Sequence, residues 1–468
     1  MEKDRIKTSG YDVVIVGSGC SGSFVAWKLN KAGLNCLLLE AGSYFHAETY
    51  PRKELDSNSK LYWGGGIELN TEANIGILRP KVLGGGSIVN QALLDRFDDL
   101  ALDSWTNESG IEYFNQKDLA RYYDEVEEVI ASQEIPAKFR NRNAAIFEQG
   151  FKNNGFQCAP LVRAQKDCKY EAGNDCVECL GGCRIDSKQS MPVTVLKEAV
   201  DNGLKIVADF EALNLSMENG KGIVRGRFTN GESGEFSGKK IVLAASSIGN
   251  SRLLLNSGFK HPMIGQKFYT HPQHMVLALY EDAVNSHKGA FQGFKSNDPN
   301  FRKSGFKLEN VYAPPVAIAM LLPGFGKTHQ EIMRNMSHLA CVEVAVRDTN
   351  PGRITVNKAG RAIVSKSLNK EDRSRWNKGL HAINNIFNST GAKRIIPGSI
   401  PIGLHLMGGC SIGTDSNTAV VDQDFRMYEN KDIYITDSSL FPNAPGINPS
   451  FTIMALSIKA SEKIEKEL

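Results

Sequence analysis

The fold is decided by residues 12–42, DVVIVGSGCSGSFVAWKLNKAGLNCLLLEAG, because this stretch predicts a strand, a glycine turn, a helix and a second strand. Residues 13–16 are a β-branched apolar run, as in a strand buried on both faces of a parallel sheet. A helix is predicted from about residue 20 to residue 32, with Gly33 as its C-cap. Residues 36–39 predict the second strand, so the stretch reads as the start of a parallel βαβ unit.

The turn carries glycines with the spacing G-x-G-x-x-G. Gly17 permits the tight turn, Gly19 lets the backbone approach a pyrophosphate, and Gly22 allows close helix packing. The helix that follows points its N-terminal N–H groups at that phosphate. Glu40 ends the second strand and is placed to accept hydrogen bonds from a ribose. Because the motif follows a strand and opens a helix, it predicts a dinucleotide site of the Rossmann type, without distinguishing NAD from FAD.

The composition is that of a globular protein with more than one domain. The chain has 468 residues, of which 41% are hydrophobic and 23% charged. Its 55 basic and 52 acidic residues nearly cancel, which gives no reason to expect a nucleic acid partner. The polar N-terminus reaches the first strand within ten residues, so we expect no signal peptide and a cytoplasmic location.

Residues 311–325, VYAPPVAIAMLLPGF, are the most apolar loop-like stretch. Pro314, Pro315 and Pro323 interrupt it, and it is shorter than the ~20 residues that a spanning helix needs. We interpret it as a core segment or a lid. The alternative is a surface that admits an apolar substrate or touches a membrane, so membrane contact is expected to be peripheral at most.

Further glycine-rich and strand-like stretches follow. In residues 79–90, RPKVLGGGSIVN, consecutive glycines suit a backbone packed against a flat ligand, and a flexible turn is the alternative. Residues 205–243 predict a strand meander that returns to the nucleotide sheet, and residues 244–258 a small-residue turn that leads into a helix. Asp437 lies at the end of the strand pattern DIYITDSS, where ligands bind in open α/β sheets.

Taken in order, these stretches resemble motifs of the glucose–methanol–choline (GMC) family of FAD-dependent alcohol oxidoreductases. YDVVIVGSGCSGSFVAWKL and LLLEAG resemble the FAD-binding strand, turn and acid. VLGGGSIVN resembles the second flavin-contacting signature, and AASSIGNSRLLLNSG the third, with Ser246 and Ser247 where Gly and Ala are usual. His405 opens a match to H-x-x-G-x-C-x-x-G in which Leu406 replaces the frequent proline. PGINPSFTIMAL places Asn448 at the second active-site position, as in the cholesterol oxidase, long-chain alcohol oxidase and pyranose oxidase branches.

The resemblance implies an α/β protein with a Rossmann-like FAD-binding domain of the GMC type and an interleaved α+β substrate-binding domain. The FAD-binding domain is assigned residues 1–46, 79–97, 187–260 and 402–468. The substrate-binding domain is assigned residues 47–78, 98–186 and 261–401, with a cysteine-rich insert at 168–183.

The resemblance further implies oxidation of a CH–OH group to a carbonyl by hydride transfer to flavin N5. Among nine histidines only His405 lies in the family signature, and it is predicted to be the general base, because a neutral imidazole suits proton removal. Asn448 is predicted to orient the hydroxyl group, although it precedes Pro449 and has the alternative role of capping the last helix. The residues expected to contact FAD are Gly17, Gly19, Cys20, Gly22, Glu40, Ala41, Gly85, Gly86, Ser87, Asn90, Ala212, Ala245, Asp437, Asn448, Pro449 and Ser450.

Some family members attach FAD through a histidine near the second glycine signature. This chain has no histidine between His46 and His261, so the FAD is expected to be non-covalent.

Four cysteines lie close together in the sequence, at Cys168, Cys176, Cys179 and Cys183. Disulfides are not expected in the cytoplasm. Metal-free structural cysteines, an iron–sulfur cluster that passes electrons to an external carrier, and a tetrahedral zinc site all remain open.

An FAD-dependent alcohol oxidoreductase is the leading hypothesis. An FAD-containing lyase of the same fold, like the hydroxynitrile lyases, is the alternative, and a cofactor-binding protein without turnover is a third. The substrate is left open among sterols, long-chain alcohols, sugars and cyclitols, and the electron acceptor among O2, a redox carrier protein and a quinone.

Overall fold

The computed structural model describes residues 8–168, 178–289 and 292–468. The helices in these ranges are α1 (Cys20–Lys31), α2 (Glu54–Leu61), α3 (Gly86–Val89), α4 (Asp99–Ser109), α5 (Gln116–Val129), α6 (Arg142–Asn153), α7 (Val195–Asp201), α8 (Ser246–Asn256), α9 (Pro299–Lys303), α10 (Pro315–Leu321), α11 (Gly326–Arg334), α12 (Lys370–Ser389) and α13 (Ser450–Glu465). The strands are β1 (Tyr11–Val16), β2 (Cys36–Leu39), β3 (Glu68–Leu69), β4 (Gly76–Ile77), β5 (Gln133–Glu134), β6 (Cys158–Pro160), β7 (Val162–Arg163), β8 (Lys205–Val207), β9 (Phe210–Glu218), β10 (Lys221–Phe228), β11 (Ser233–Leu243), β12 (Tyr269–Leu279), β13 (Phe294–Ser296), β14 (Phe306–Asn310), β15 (Leu339–Val346), β16 (Arg353–Val356), β17 (Ala362–Ser365), β18 (Arg394–Pro397), β19 (Ile402–Met407) and β20 (Ile433–Ile435).

The first sheet is built on the predicted βαβ unit. Its strand order is β8-β2-β1-β11-β10-β9, and β20 also pairs with β11. The strands β8, β2, β1, β11 and β20 are parallel to one another, whereas β9, β10 and β11 form an antiparallel meander. The predicted Rossmann-like α/β unit is therefore confirmed.

The second sheet has the order β3-β4-β19-β12-β15-β14-β13-β6, and β18 also pairs with β12. Most of its pairs are antiparallel, while β4 and β19 are parallel. This mixed sheet, together with α6 and α12, is the α+β part of the fold. Helices α6 and α12 pack on one of its faces through Phe147, Phe151, Ile383 and Phe387.

Side-chain alternation along the central strands of the second sheet separates its two faces. In β15, Val342 and Val344 join the apolar cluster under α6 and α12, whereas Cys341 points to the opposite side. Glu343 shares the side of Cys341, because residues two apart on a strand lie on the same face. The face away from the helices therefore carries acidic as well as apolar side chains.

Two segments pack on the sheet of the other assigned domain, while the domain division itself stays a prediction. Residues 402–407 were expected in the FAD-binding domain, but β19 pairs with β12 in the second sheet. Helices α4 and α5 were expected in the substrate-binding domain, but they pack in the core of the first sheet, where the rings of Trp105 and Phe441 lie 4.4 Å apart. Both differences arise because contacts between distant segments, rather than chain order, decide which sheet an element joins. Within the described ranges, no helix is both long and apolar enough to cross a bilayer.

Candidate active site

The two glycine-rich loops meet at the carboxyl edge of the first sheet. A Cβ on Gly22 would lie 1.8 Å from the carbonyl oxygen of Gly17, so α1 packs directly on the turn that precedes it. A Cβ on Gly85 would lie 2.7 Å from the Cα of Gly19. The N-terminal end of α1 therefore faces a surface of bare backbone from both loops, which is the environment that a pyrophosphate requires.

Glu40 is buried at this edge with its carboxylate held by neighbouring donors. One oxygen accepts hydrogen bonds from the Ser18 N–H at 3.0 Å and the Ser18 hydroxyl at 2.7 Å, and the other accepts from the Gly42 N–H at 2.8 Å. Burial raises the pKa of Glu40. Glu40 also lines the cavity described below.

Asp437 lies two residues beyond β20, close to its predicted position. Its carboxylate accepts from the Ser246 N–H at 2.6 Å, the Asn250 amide at 3.0 Å and the Ser439 hydroxyl at 2.6 Å. It therefore ties the start of α8 to the C-terminal segment. Burial raises the pKa of Asp437.

One continuous cavity of about 1020 Å³ runs from this edge to the second sheet. Gly22 and Ser87 do not line it: Gly22 packs behind the turn, and the Ser87 hydroxyl donates to the Gly84 carbonyl and accepts from the Met191 N–H. His405 lines the cavity. The other residues predicted to contact FAD line it as well: Gly17, Gly19, Cys20, Glu40, Ala41, Gly85, Gly86, Asn90, Ala212, Ala245, Asp437, Asn448, Pro449 and Ser450. The glycine cradle, Asn90 and Asn448 therefore share one cavity.

A β-bulge positions His405. Tyr269 pairs with Met407 and His271 with Leu404, so two residues of β19 stand opposite the single residue Thr270. His405 is one of these two residues and has a φ of +54°, which is unusual for a residue other than glycine. Bulges of this kind re-aim a side chain, and here the imidazole of His405 reaches the cavity.

His405 is paired with a second histidine that the sequence did not single out. The Nδ1 atoms of His271 and His405 lie 3.0 Å apart, and the Gly446 N–H donates to Nε2 of His271 at 2.9 Å. Burial, assisted by the nearby charge of Lys307, lowers the pKa of His405 to about 3. Burial also lowers the pKa of His271 to well below its usual value. Both rings are therefore neutral at physiological pH.

A cluster of charged groups adjoins Asn448. The Lys307 ammonium donates to the side-chain oxygen of Asn448 and, at 2.7 Å, to Oε1 of Glu309. Glu309 and Glu343 are cross-strand partners in β14 and β15, and both line the cavity. Burial and the neighbouring Glu309 carboxylate raise the pKa of Glu343 well above its usual value. Glu343 is therefore the neutral acid of the pair and donates to Glu309.

Other side chains that line the cavity are apolar. Met275, Val311, Tyr312, Met320 and Leu321 line it. Helix α10 lies within the apolar stretch 311–325, so this part of the stretch forms a wall of the cavity.

The N-terminus of α10 is held by an acid from α2. The Glu54 carboxylate accepts hydrogen bonds from the Val316 N–H at 2.7 Å and the Ala317 N–H at 2.8 Å. This contact satisfies two N–H groups that a helix leaves open at its start. The cavity wall is thus tied to a segment far away in the sequence.

Sequence reasoning missed His271, Lys307, Glu309 and Glu343. A signal for the acids was present, because Glu343 is the one charged residue in the apolar run LACVEVAV. A lone charge in a strand that is otherwise buried requires a partner. No comparable local signal marks His271, whose role depends on its contact with His405.

The predicted cysteine cluster falls partly outside the described residues. Cys176 and the side chain of Cys179 are not described, while Cys168 is partly buried and Cys183 is buried. Among the residues that are described, no group of three or more His, Cys, Asp and Glu side chains is arranged to hold a metal ion. The iron–sulfur and zinc hypotheses at this cluster therefore stay predictions.

Comparisons with known protein families agree with this geometry. Residues 58–273 and 348–457 match the two models of the GMC oxidoreductase family. Residues 15–70 match a model of the NAD(P)-binding Rossmann-like domain.

Individual relatives span nearly the whole chain. A long-chain-alcohol oxidase of Arabidopsis thaliana is 27% identical over 99% of this chain and 68% of its own length. A cholesterol oxidase of Acinetobacter baumannii is 21% identical over 98% of this chain and 95% of its own. Among solved structures, an Aspergillus oryzae formate oxidase superimposes with a TM-score of 0.76 at 16% identity, covering 99% of both chains. The structural likeness shows a shared fold.

Proposed function

The chain belongs to the GMC oxidoreductase family, and we propose that it oxidises the hydroxyl group of an apolar alcohol to a carbonyl. Non-covalent FAD is the proposed hydride acceptor, and O2 the proposed final acceptor. The observation that carries this proposal is the distribution of side chains around the cavity. His405, Asn448, Glu309 and Glu343 all line the cavity, whereas the wall along α10 is apolar.

FAD is supported by the glycine cradle at the start of α1, by Glu40 and by the length of the cavity. When bound, FAD supplies an acceptor for the hydride of the carbinol carbon. Non-covalent binding is supported by the lack of histidines between His46 and His261. Cys20 lines the cavity, but burial raises the pKa of its thiol to about 12, which leaves little thiolate for a covalent bond.

An apolar substrate is supported by the side chains along α10 and by two of the relatives, which are named as oxidases of long-chain alcohols and of cholesterol. A hydrophobic wall recognises a chain or ring system by its buried area rather than by hydrogen bonds. A sugar or cyclitol would bring several hydroxyl groups against this wall without partners. In this proposal His405 and Asn448 contact the reacting hydroxyl group, and α10 contacts the apolar body of the substrate.

The test is anaerobic mixing of the FAD-loaded protein with 1-dodecanol, cholesterol, glucose or myo-inositol. We expect an apolar alcohol to bleach the visible flavin band, with the matching aldehyde or ketone as product, and the polyols to leave it unchanged. On admission of O2, hydrogen peroxide should form in proportion to the product. Bleaching by the polyols alone would overturn the proposed substrate class.

The lyase hypothesis predicts a different outcome for the flavin spectrum and the products. A cyanohydrin such as mandelonitrile would be cleaved without any change in the flavin band, and none of the alcohols would bleach it. Product analysis together with the flavin spectrum therefore separates the two functions. Prompt reoxidation by O2 further separates an oxidase from a dehydrogenase that needs a quinone or a carrier protein.

A further inference from the structure

The exposed part of the cavity wall shows where a ligand enters. In the described part of the chain most residues that line the cavity are buried or half-buried, but six are exposed to solvent. All six belong to the segments 52–65 and 315–320, which include helices α2 and α10. We call these six residues the mouth: Arg52, Lys53, Gly64, Gly65, Pro315 and Met320. A ligand that passes through the mouth enters between α2 and α10.

The mouth adjoins the most exposed large apolar side chains of the described residues. Phe325 is 92% exposed, Leu55 is 65% exposed and Met320 is 53% exposed. Met320 belongs to the mouth, and Phe325 lies five residues beyond it in the chain. Leu55 follows Glu54, whose carboxylate binds the first N–H groups of α10. Exposed apolar side chains that gather beside an opening mark an interaction surface, and we call these three residues the apolar rim.

Phe325 is carried on a loop that projects from the fold. Its neighbours Gly324 and Gly326 have φ values of +82° and +64°, and no atom lies within 4 Å of a Cβ placed on either glycine. The loop therefore turns in open space, with Phe325 between its two glycines. A polar residue would serve equally well if this loop only connected α10 to α11. The aromatic ring therefore indicates a partner outside the described chain.

Basic side chains accompany the apolar rim. The segments 51–60 and 323–334 together contain five basic and three acidic residues. Glu54 is one of these acids, and its carboxylate is already bound to the N–H groups of α10. Two of the basic residues belong to the mouth, and Lys327 lies two residues beyond Phe325. Apolar side chains flanked by basic ones suit a surface that lies on a membrane with anionic headgroups.

The cavity behind the mouth is also lined by apolar side chains, including Met275, Val311 and Leu321. An apolar alcohol dissolved in a bilayer could pass from the mouth to these side chains without crossing water. A protein bound stably over the mouth would need about 1,000 Å² of complementary surface and would close this path. A lipid surface is therefore the partner that fits both the rim and the cavity.

We propose that the mouth docks on a lipid bilayer that contains anionic headgroups. The apolar rim enters the interfacial layer of the bilayer, and the basic residues around it contact the headgroups. The alcohol leaves the bilayer through the mouth and enters the cavity. This last step rests on the proposed oxidation of an apolar alcohol, whereas docking itself does not depend on turnover.

The first experiment measures sedimentation of the FAD-loaded protein with vesicles of phosphatidylcholine, with or without phosphatidylglycerol. We expect binding to be stronger on the anionic vesicles and to weaken with added salt. Phe325→Ser should lower the partition coefficient roughly tenfold. Val200→Ser is the matched control, because Val200 is an exposed apolar residue of α7, outside the mouth. Unchanged binding of Phe325→Ser, or wild-type protein that binds neither kind of vesicle, would overturn the proposal.

The second experiment locates the inserted residue. Phe325→Trp and Val200→Trp each add one tryptophan to the four of the wild-type chain. With vesicles of brominated phospholipid, we expect quenching beyond that of wild type for Phe325→Trp only. Sedimentation velocity without vesicles tests the alternative occupant, a second copy of this chain. A wild-type dimer that Phe325→Ser dissociates would assign the rim to self-association and refute the docking surface.

The third experiment tests delivery of the substrate. Phe325 does not line the cavity, so Phe325→Ser should slow flavin reduction by vesicle-borne 1-hexadecanol roughly tenfold and leave reduction by dissolved 1-hexanol unchanged. Equal slowing with both alcohols would mean that Phe325 supports the cavity itself, against the proposed delivery. If no alcohol reduces the wild-type flavin, the proposed function fails, while vesicle binding still decides whether the mouth docks.

Discussion

The backbone of Gly85 touches that of Gly19, since a Cβ on Gly85 would lie 2.7 Å from the Gly19 Cα. The contact joins the two glycine loops of the nucleotide end of the cavity. It requires glycine at position 85 for two reasons, the lack of space and a φ of +53°.

Gly85→Ala is therefore expected to lower the thermal unfolding temperature of the apo-protein and to weaken FAD retention during gel filtration. Gly86→Ala is the matched control, because no atom lies within 4 Å of a Cβ placed there. Its apo-protein should unfold within about one degree of wild type. An apo-protein of Gly85→Ala as stable as that of Gly86→Ala would show that the two loops do not make this contact.

Lys366 and Asp348 form a fully buried ion pair close to the active site. Lys366 donates to Asp348 at 2.9 Å, and Asp348 accepts from the N–H of Thr270, next to His271. Lys366→Met leaves a buried carboxylate unpaired, so we expect a loss of about 3–5 kcal/mol in the free energy of unfolding. Denaturant unfolding measures this loss. Lys197→Met, which breaks an exposed pair with Asp201, should leave the free energy of unfolding nearly unchanged.

Acid should destabilise the protein through His405. Its pKa is lowered from 6.5 to about 3 in the folded state, so below pH 6.5 the unfolded chain binds a proton that the folded chain does not. Stability therefore falls as the pH drops from 6.5 towards 3. His405→Leu removes this contribution, and its unfolding temperature should decline less steeply with acid than that of wild type. Replacing the exposed His381 by Leu should leave the slope unchanged.

Glu343 should make the folded protein less stable as the pH rises, which is the opposite of the effect of His405. Its folded-state pKa is raised well above 4.5, so the folded chain keeps a proton that the unfolded chain loses as the pH rises. Glu343→Gln mimics the neutral acid and retains a donor for Glu309. The difference in unfolding temperature between this variant and wild type is expected to increase in favour of the variant as the pH is raised from about 5 to about 8. A difference that stays constant over this range would mean that Glu343 is ionised in the folded protein.

Glu54 should control the order of helix α10. Glu54→Ala removes the acceptor for the N–H groups of Val316 and Ala317, at a local cost of about 1–2 kcal/mol. Hydrogen exchange in residues 316–321 should accelerate roughly tenfold, and the KM for an apolar alcohol should rise more than kcat falls. The exposed Glu48 offers the control substitution Glu48→Ala, for which exchange in α10 should be unchanged.

Much of the fold could be predicted because its signals are local. The strand–glycine–helix pattern of residues 12–42 depends on spacings of a few residues, and α1 begins at the predicted Cys20. The strand meander predicted in residues 205–243 and the helix predicted in residues 244–258 likewise appear as β8 to β11 and as α8. In each case the local spacing of apolar residues and glycines is enough to predict the element.

The sequence by itself determined the dinucleotide unit, the family motifs and the positions of His405 and Asn448. Only the tertiary structure decided what these two residues meet. The bulge opposite Thr270, the contact of His271 with His405 and the pairing of Glu309 with Glu343 all depend on strand register between distant segments. Register is set by the packing of whole sheets, and a shift of one residue would turn each of these side chains to the other face. Hydrogen-bond direction in the active site therefore follows from contacts that no local pattern contains.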